Sequence, residues 1–391
     1  MPKRQNRSSL SAKFVEIEGK MGPKYLVLGT GVGKAIAYAL LKNPDNFVAI
    51  ADVNLKTAMA VSDSLTRMSG KNRYGCMSIK FRVGNPNTVR LFKFFDVVIS
   101  ALPAKYNLGL AEEAIRARVH FCDLGGVVEV TTQMLELNKK YPGMHVSVVP
   151  DCGLMPGLGI VIAKKLMHDL GGAETIEILV GGLPQKPRPP TFYQKVFHPE
   201  GLKHICYDPA PILSGGEIKW VKPFHDYSQI DVPELRRFSG TFKGRIESFV
   251  TAGASLAADS FRGWGVKYFA EKTVRWPGFA EFFKNIPENE FKRTVEEHLT
   301  IPVNAENPDL VWMTVTAQNG SAKKSVSLLD LFDEKTGLTA MQRTTGFTTA
   351  IIAEMMAEGK TKPEINTPEN AFDRPGMNEM LDRFSRLIPL T

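Results

Sequence analysis

Residues 24–40 read KYLVLGTGVGKAIAYAL: a lysine and four largely apolar residues, three glycines at 29, 31 and 33, then a stretch of good helix formers. A strand that turns through glycines directly into a helix constrains the fold more than any other feature here. The loop lets the backbone approach another group closely, and the helix must then fold back across the strand. The chain repeats this alternation. Strand-like runs at 47–51, 78–83, 96–100, 120–124 and 146–149 are separated by helix-like runs at 55–67, 88–94, 107–117 and 131–140. Strands that alternate with helices at this spacing imply crossover connections and a parallel sheet, so the spacing predicts an α/β, doubly wound Rossmann domain.

Past residue 150 the pattern changes. A further helix is expected at 158–170. Strand-like stretches with dense Gly/Pro punctuation, such as 175–180 and 310–317, then dominate to about Val326. This predicts a second α+β domain built on a largely antiparallel sheet. Two late helices are expected, at 345–358 and 377–388, the second with Met380, Leu381, Phe384, Leu387 and Ile388 on one face. The expected division is 1–20 as a disordered extension, 21–150 as the nucleotide domain completed by about 336–391, and 151–335 as the substrate-binding and dimerisation domain. A short presequence is the alternative reading of the first twenty residues, and Met21 an alternative start.

Bulk properties narrow the function. Of 391 residues, 43% are hydrophobic and 23% charged, the balance of a chain with a real core. No run of 18 apolar residues suggests a membrane span. The net charge is +8, but the cations are interleaved with acids and form no basic stripe, which argues against nucleic acid and suits an anionic cofactor. Cys76, Cys122, Cys152 and Cys206 form no CxxC pair, and the seven histidines include no HExxH, so no metal is expected. With no secretory signal apparent, free thiols in the cytoplasm are the expectation.

The glycine loop carries a cofactor reading. A helix N-terminus offers unpaired N–H groups to a pyrophosphate, approached closely where residues 29, 31 and 33 lack side chains. Val32 lies between the last two. Asp52 comes 23 residues after Gly29, where a carboxylate accepts the ribose hydroxyls of NAD and repels a 2′-phosphate. NAD is therefore expected over NADP. Ala101, Leu102 and Pro103 close another strand at the edge where the nicotinamide half would lie. The loop reads G-T-G-V-G, one residue shorter than GxGxxG. A glycine loop that serves packing alone is the competing reading.

Seven segments in order, VISALP (98–103), HFCDLGG (120–126), VVPDCGLMPGL (148–158), VGGLPQKPRPP (180–190), VFHPEGL (196–202), TAGAS (251–255) and KTVRWPGF (272–279), resemble the saccharopine dehydrogenase-like superfamily, most closely its lysine 6-dehydrogenases. The resemblance spans roughly residues 21–360. It implies a Rossmann domain joined to a catalytic domain that dimerises. It also implies NAD-linked oxidation of the lysine side-chain amine to an imine, which water converts to 2-aminoadipate 6-semialdehyde and ammonia. The chain departs from that pattern at Ala252, at Phe192 where Asn is usual, and at Phe279 where His is frequent. Saccharopine or carboxynorspermidine formation and a non-catalytic nucleotide-binding protein are the alternatives.

Oxidising an amine requires a base, a carbon held against the nicotinamide, and a clamp for the carboxylate. Asp123 ends a strand at the cofactor crevice and is the candidate base or ammonium holder; capping the turn at Gly125-Gly126 is its alternative role. Cys152 precedes a helix, where a thiol is acidified, unless it is simply buried. Asp151 is a candidate for a turn or cap. Tyr193 follows a proline-stiffened loop that carries Gln185, Lys186 and Arg188. Thr251 and Ser255 flank small residues that permit close approach. Lys272 either polarises the amine site or is solvated. Arg275, in a strand-like stretch, needs an anionic partner, either a substrate carboxylate or a structural acid.

Overall fold

The computed structural model describes residues 22–70 and 74–391. The expectations for residues 1–20 and for Met21 lie outside the described residues.

The first half forms a six-stranded sheet of β1 (Lys24–Leu28), β2 (Phe47–Asp52), β3 (Cys76–Lys80), β4 (Val97–Ser100), β5 (His120–Asp123) and β6 (Val148–Val149). Its order is β3-β2-β1-β4-β5-β6 and every pairing is parallel, the doubly wound Rossmann arrangement. Strand β1 reads as a continuous apolar run because both faces are covered, and Leu26, Val27 and Leu28 are fully buried. The crossovers are α1 (Gly33–Leu40), α2 (Leu55–Ser69), α3 (Thr88–Phe92), α4 (Asn107–Ala117) and α5 (Val128–Lys140).

A helix, α6 (Leu158–Asp169), leads into a second sheet. Strand β7 (Thr175–Pro184) lies at its centre. Between the helices α7 (Pro199–Tyr207) and α8 (Ala257–Gly263) come the hairpin β8 (Ala210–Ser214) and β9 (Glu217–Val221), then β10 (His225–Asp231) and β11 (Arg245–Val250). Next come β12 (Tyr268–Arg275), α9 (Phe279–Lys284), α10 (Phe291–His298), β13 (Asp309–Asn319) and β14 (Ala322–Leu331). The order is β10-β11-β12-β7-β13-β14, with β8 alongside β12. Only the β12–β7 pairing is parallel among the described residues, so the sheet is mixed but largely antiparallel, as predicted.

The late helices follow as α11 (Ala340–Ala357), α12 (Pro368–Ala371) and α13 (Arg374–Ser385). Helix α11 starts five residues before the sequence expectation. Thr339 and Gln342 close a reciprocal capping box there, and Asp309 accepts from Ala340 N (2.9 Å) and Met341 N (3.0 Å). One apolar core links the two sheets through α6 and α11, joining Tyr25 and Val27 of the first sheet to Ile176 and Ile178 of the second. Burial of Phe347, Ile351, Ile352, Met355 and Met356 on α11 contributes about 1.5–3 kcal/mol each.

Helix α11 meets α1 at Gly346. A Cβ there would lie 2.8 Å from Ala35 Cβ and 3.0 Å from Ile36 N. Gly346→Val is therefore expected to destabilise the fold by about 1–3 kcal/mol through overpacking, measured by urea unfolding. A neutral or stabilising result, as for a glycine in an open helix, would show that the two helices are not held this closely.

Candidate functional site

The glycine loop is built by backbone packing. Gly29 has φ +97° and donates its N–H to Ala51 O at 2.8 Å. A Cβ on Gly29 would sit 2.7 Å from Ala101 O, so the loop and the Ala101–Leu102 segment are pressed together. A Cβ on Gly33 would meet Val27 Cγ1 at 3.0 Å, which seats the helix on its strand. Gly31 faces open space. Val32 takes the N-cap position of α1 without a side-chain cap, so no side chain competes for the first-turn amides. The short loop thus still presents a helix N-terminus at the carboxyl end of β1. Asp52 is fixed beside it: Oδ2 accepts from Thr30 Oγ1 at 2.8 Å and Oδ1 from Asn54 N at 2.9 Å. Gln342 Nε2 donates to Gly31 O at 3.2 Å, so the first turn of α11 closes the loop from the far side.

Two strands along the same edge, Asp123 ends β5 directly beside Ser100. Its Oδ1 accepts from Gly125 N (2.7 Å) and Asp151 N (3.3 Å), while Oδ2 is buried without a partner. Asp123 thus caps the glycine turn with one oxygen and leaves the other uncommitted. Asp151 has φ +64°, and its Oδ1 accepts from Gly126 N and Thr131 Oγ1, each at 3.1 Å. The approach is tight enough that any Cβ at Gly125 would fall 1.7 Å from Asp151 Oδ1. Burial first, and then the charge of Asp151, pushes the Asp123 carboxyl up to about 8. Burial pushes Asp151 up to about 6, with Ser255, Gly126 N and Thr131 opposing. Ser255 Oγ faces that carboxylate without closing a hydrogen bond of good geometry.

Of the two readings of Cys152, the structure supports plain burial over an acidified thiol. Its side chain is fully buried, Sγ donates to Val149 O at 3.1 Å, and burial and the neighbouring Cys122 thiol push it well above the ordinary thiol range. This is the opposite direction from acidification, because apolar surroundings outweigh the helix that follows.

The second sheet supplies the other side. Side chains alternate along β12, so Glu271, Thr273 and Arg275 share one face and Lys272 points to the other. Lys272 is not solvated. It is ion-paired to Asp226 (2.7 Å) and Glu177 (3.1 Å) on the far face, where those partners raise its pKa against desolvation. On the near face, Thr251 Oγ1 bonds Glu271 Oε2 (3.0 Å) and Thr273 Oγ1 (2.8 Å). Glu271 is 2% exposed, and burial pushes its carboxyl up to about 8. Sequence reading missed it; the alternation in EKTVR once β12 is registered on β7 is the signal that finds it.

Arg275 is 2% exposed, and burial lowers its pKa. Its Nη1 donates to Val274 O at 2.7 Å, and Nε is buried without a partner. The guanidinium lies over the rings of Tyr193 (4.9 Å) and Phe279 (5.2 Å), where the frequent His of the resemblance is replaced. No carboxylate is within 4 Å of it among the described residues. Glu247, opposite it in register, is taken by Gly278 N (3.2 Å) and Ala280 N (2.6 Å). Tyr193 is buried, its hydroxyl pushed up to about 12 by burial. In the proline-rich loop, Gln185 and Lys186 bond to the backbone carbonyls of Asp309 (2.8 Å) and Glu306 (3.0 Å), so they brace the loop; Arg188 is exposed.

The structure therefore gathers 29–33, Asp52, Ala101, Leu102, Pro103 and Asp123 along one sheet edge. It places Asp151 against Ser255, Glu271 and Arg275 on β12 of the second sheet, Thr251 directly after β11, and Tyr193 in the segment that follows the proline-rich loop. Among the described residues no group of three or more His, Cys, Asp or Glu could hold a metal ion, and no helix is long and apolar enough to cross a membrane.

Fold and loop together define a two-sheet protein of the Rossmann dinucleotide-binding class. Residues 25–149 match the saccharopine dehydrogenase NADP binding domain, and residues 153–387 match the saccharopine dehydrogenase C-terminal domain. The chain belongs to the saccharopine dehydrogenase family. It is 29% identical over 198 residues to an alpha-aminoadipic semialdehyde synthase of Arabidopsis thaliana, covering 47% of this chain and 18% of that one. The mitochondrial alpha-aminoadipic semialdehyde synthase of Mus musculus is 25% identical over 203 residues, covering 50% and 21%. The matched stretch is thus about a fifth of the length of these relatives. The fold is similar to apo saccharopine dehydrogenase (L-Glu forming) from Saccharomyces cerevisiae, with a TM-score of 0.71, 16% identity and coverage of 95% and 99%. It is also similar to homospermidine synthase from Legionella pneumophila in complex with NAD, with a TM-score of 0.65, 11% identity and coverage of 95% and 92%.

The raised Asp123 pKa fixes the sign of a stability effect. Between about pH 4 and 8 the folded state holds a proton that the unfolded state has released, so stability falls as pH rises, by up to about 1.4 kcal/mol per pH unit for this group. Asp123→Asn is expected to flatten that fall and to be relatively more stable at pH 8, read from urea midpoints across the range. An unaltered slope would mean that the carboxyl is ionised in the native protein.

Proposed function

We propose that the protein is an NAD-dependent oxidoreductase that oxidises the side-chain amine of L-lysine, releasing ammonia and 2-aminoadipate 6-semialdehyde. The observation that carries this reading is Arg275: a buried guanidinium on the second sheet with no acid in ion-pair reach among the described residues, in a chain whose first sheet ends β5 in a buried acid, Asp123, with an uncommitted oxygen. A molecule with a carboxylate at one end and an amine at the other satisfies both. Bound at 29–33, NAD would accept the hydride from the carbon that bears the amine. Asp52 favours NAD because a 2′-phosphate beside it would be repelled. Asp123 takes or holds the amine proton; a cationic amine beside it draws its pKa back down, so that it ionises when needed. Tyr193 and Phe279 hold the guanidinium flat for the carboxylate. The similarity to alpha-aminoadipic semialdehyde synthases supports an amino-acid substrate of this kind. A homodimer in the cytoplasm completes the proposal.

A reductive condensation of an amine with an aldehyde is the second reading. The observation behind it is a small cleft lined by Lys186, Arg188, Tyr193 and Gln194, whose cations suit an anion; its free space is about that of one water, so a second carboxylate requires the cleft to widen.

NADH formation with lysine, ornithine and saccharopine compared side by side tests the reaction; no lysine-dependent NADH would sink the assignment. Arg275→Ala should raise the lysine KM about ten- to 150-fold, the loss of a charge-assisted hydrogen bond. Asp123→Asn should lower kcat and remove the rise of kcat/KM with pH that levels off above about 8. Wild-type kinetics in both variants would remove these residues from the site.

Asp52→Ala is expected to weaken NADH binding by a similar ten- to 150-fold while leaving NADPH no weaker. Equal NADH affinity in calorimetry would separate Asp52 from the cofactor.

A further inference from the structure

We propose that Glu271 and Arg275 form a clamp for the head group of an α-amino acid, with Glu271 binding the α-ammonium and Arg275 the α-carboxylate. The inference rests on the reading that the substrate is an amino acid oxidised at its far amine.

Glu271 and Arg275 occupy one face of β12, with Thr273 between them. Four residues of strand separate their Cα atoms by roughly 13 Å, a span that two long side chains on one face can narrow to the size of a small head group. They are close enough that each shifts the other's titration, yet they form no ion pair within 4 Å. Both are 2% exposed. Two opposite charges buried on one face and held apart are costly unless a third body completes them. A zwitterionic head group is such a body: its ammonium and carboxylate are adjacent and opposite in sign, and they match the order Glu271 then Arg275 along the strand.

The surroundings of Glu271 favour a cationic ligand. Thr251 Oγ1 engages Oε2, and the backbone at Gly253 comes so near that a Cβ there would lie 3.0 Å from the same oxygen. These contacts orient the carboxylate without supplying a positive charge. The hydroxyl relay continues from Thr251 to Thr273, so the polar surface runs toward Arg275. Charge matching then accounts for the whole substrate. Lysine carries two amines and one carboxylate, and the seam presents the Asp123 side, Glu271 and Arg275 in the same number and opposite sense. Glu271 is thus a specificity-determining residue: it distinguishes an α-amino acid from an ω-amino acid that has the same carboxylate and the same far amine.

The test uses the whole chain saturated with NADH and titrated calorimetrically with L-lysine and with 6-aminohexanoate, which lacks only the α-amine. The wild type should bind lysine more tightly by about ten- to 150-fold, the range for one charge-assisted hydrogen bond. In Glu271→Gln that preference should collapse toward one, whereas Arg275→Ala should weaken both ligands together. Thr251→Val, which leaves the carboxylate in place but unoriented, should reduce the preference in part. It serves as the second variant if Glu271→Gln folds poorly. Equal wild-type affinities, no binding of either ligand, or an unchanged preference in Glu271→Gln would each overturn the clamp. NADH formation with NAD and lysine is measured in parallel. Discrimination without turnover would overturn the proposed reaction and leave the clamp standing; turnover with an unchanged preference would do the reverse.

Discussion

The contact between α11 and α1 governs the geometry of everything else. At Gly346 the two helices approach closely enough that Ala35 and the Ile36 amide would touch any side chain. That approach places Gln342 on the glycine loop and Met341 against Gly182 of β7. Through Thr349, whose hydroxyl donates to Cys152 O at 2.9 Å, the same helix supports the chain that carries Asp151. One helix thus touches the cofactor loop, the acid turn and the central strand of the second sheet. Its first turn is fixed by Asp309, so its register relative to both sheets is not free to slide.

The polar seam between the sheets is costly by construction. Asp123, Glu271 and Arg275 are all buried, and each carboxyl has been pushed toward its neutral form by desolvation. A core designed only for stability would fill these positions with apolar groups at little or no loss. Here the surrounding packing supports the cost instead: aromatic rings bracket the guanidinium, and the glycines at 125 and 253 let the carboxylates be approached by backbone. This is the environment in which an acid's affinity for its proton responds strongly to the arrival of a cation.

Much of the fold was legible from local pattern. Strand β1 and helix α4 fall where periodicity puts them, since a buried apolar run and a 3.6-residue stripe are local signals. The start of α11 was not placed correctly, because Ala340, Met341 and Gln342 carry little periodic signal and the cap depends on Asp309, 31 residues away. The choice between the two readings of Cys152 stayed open, and Lys272 was misread, for the same kind of reason. Adjacent sequence suggested an acidified thiol and a free or catalytic cation, but burial decided the first and cross-strand acids the second. Glu271 was overlooked because a Glu next to a Lys in sequence looks solvated until the strand's two faces are assigned.

The sequence by itself determined the alternation that yields a doubly wound sheet, the glycine loop with Asp52 one crossover later, and the presence of Arg275 between Val274 and Trp276 in a strand-like stretch. These are properties of neighbouring residues, and short-range sterics and hydrophobic period suffice to specify them. Only the tertiary structure decided which charges share a space. Asp123 meets Asp151, Asp151 meets Ser255, and Thr251 meets Glu271 because strand pairing and helix packing bring distant segments together. Whether a buried charge is neutralised or left available depends on what lies across from it, and no local pattern carries that information.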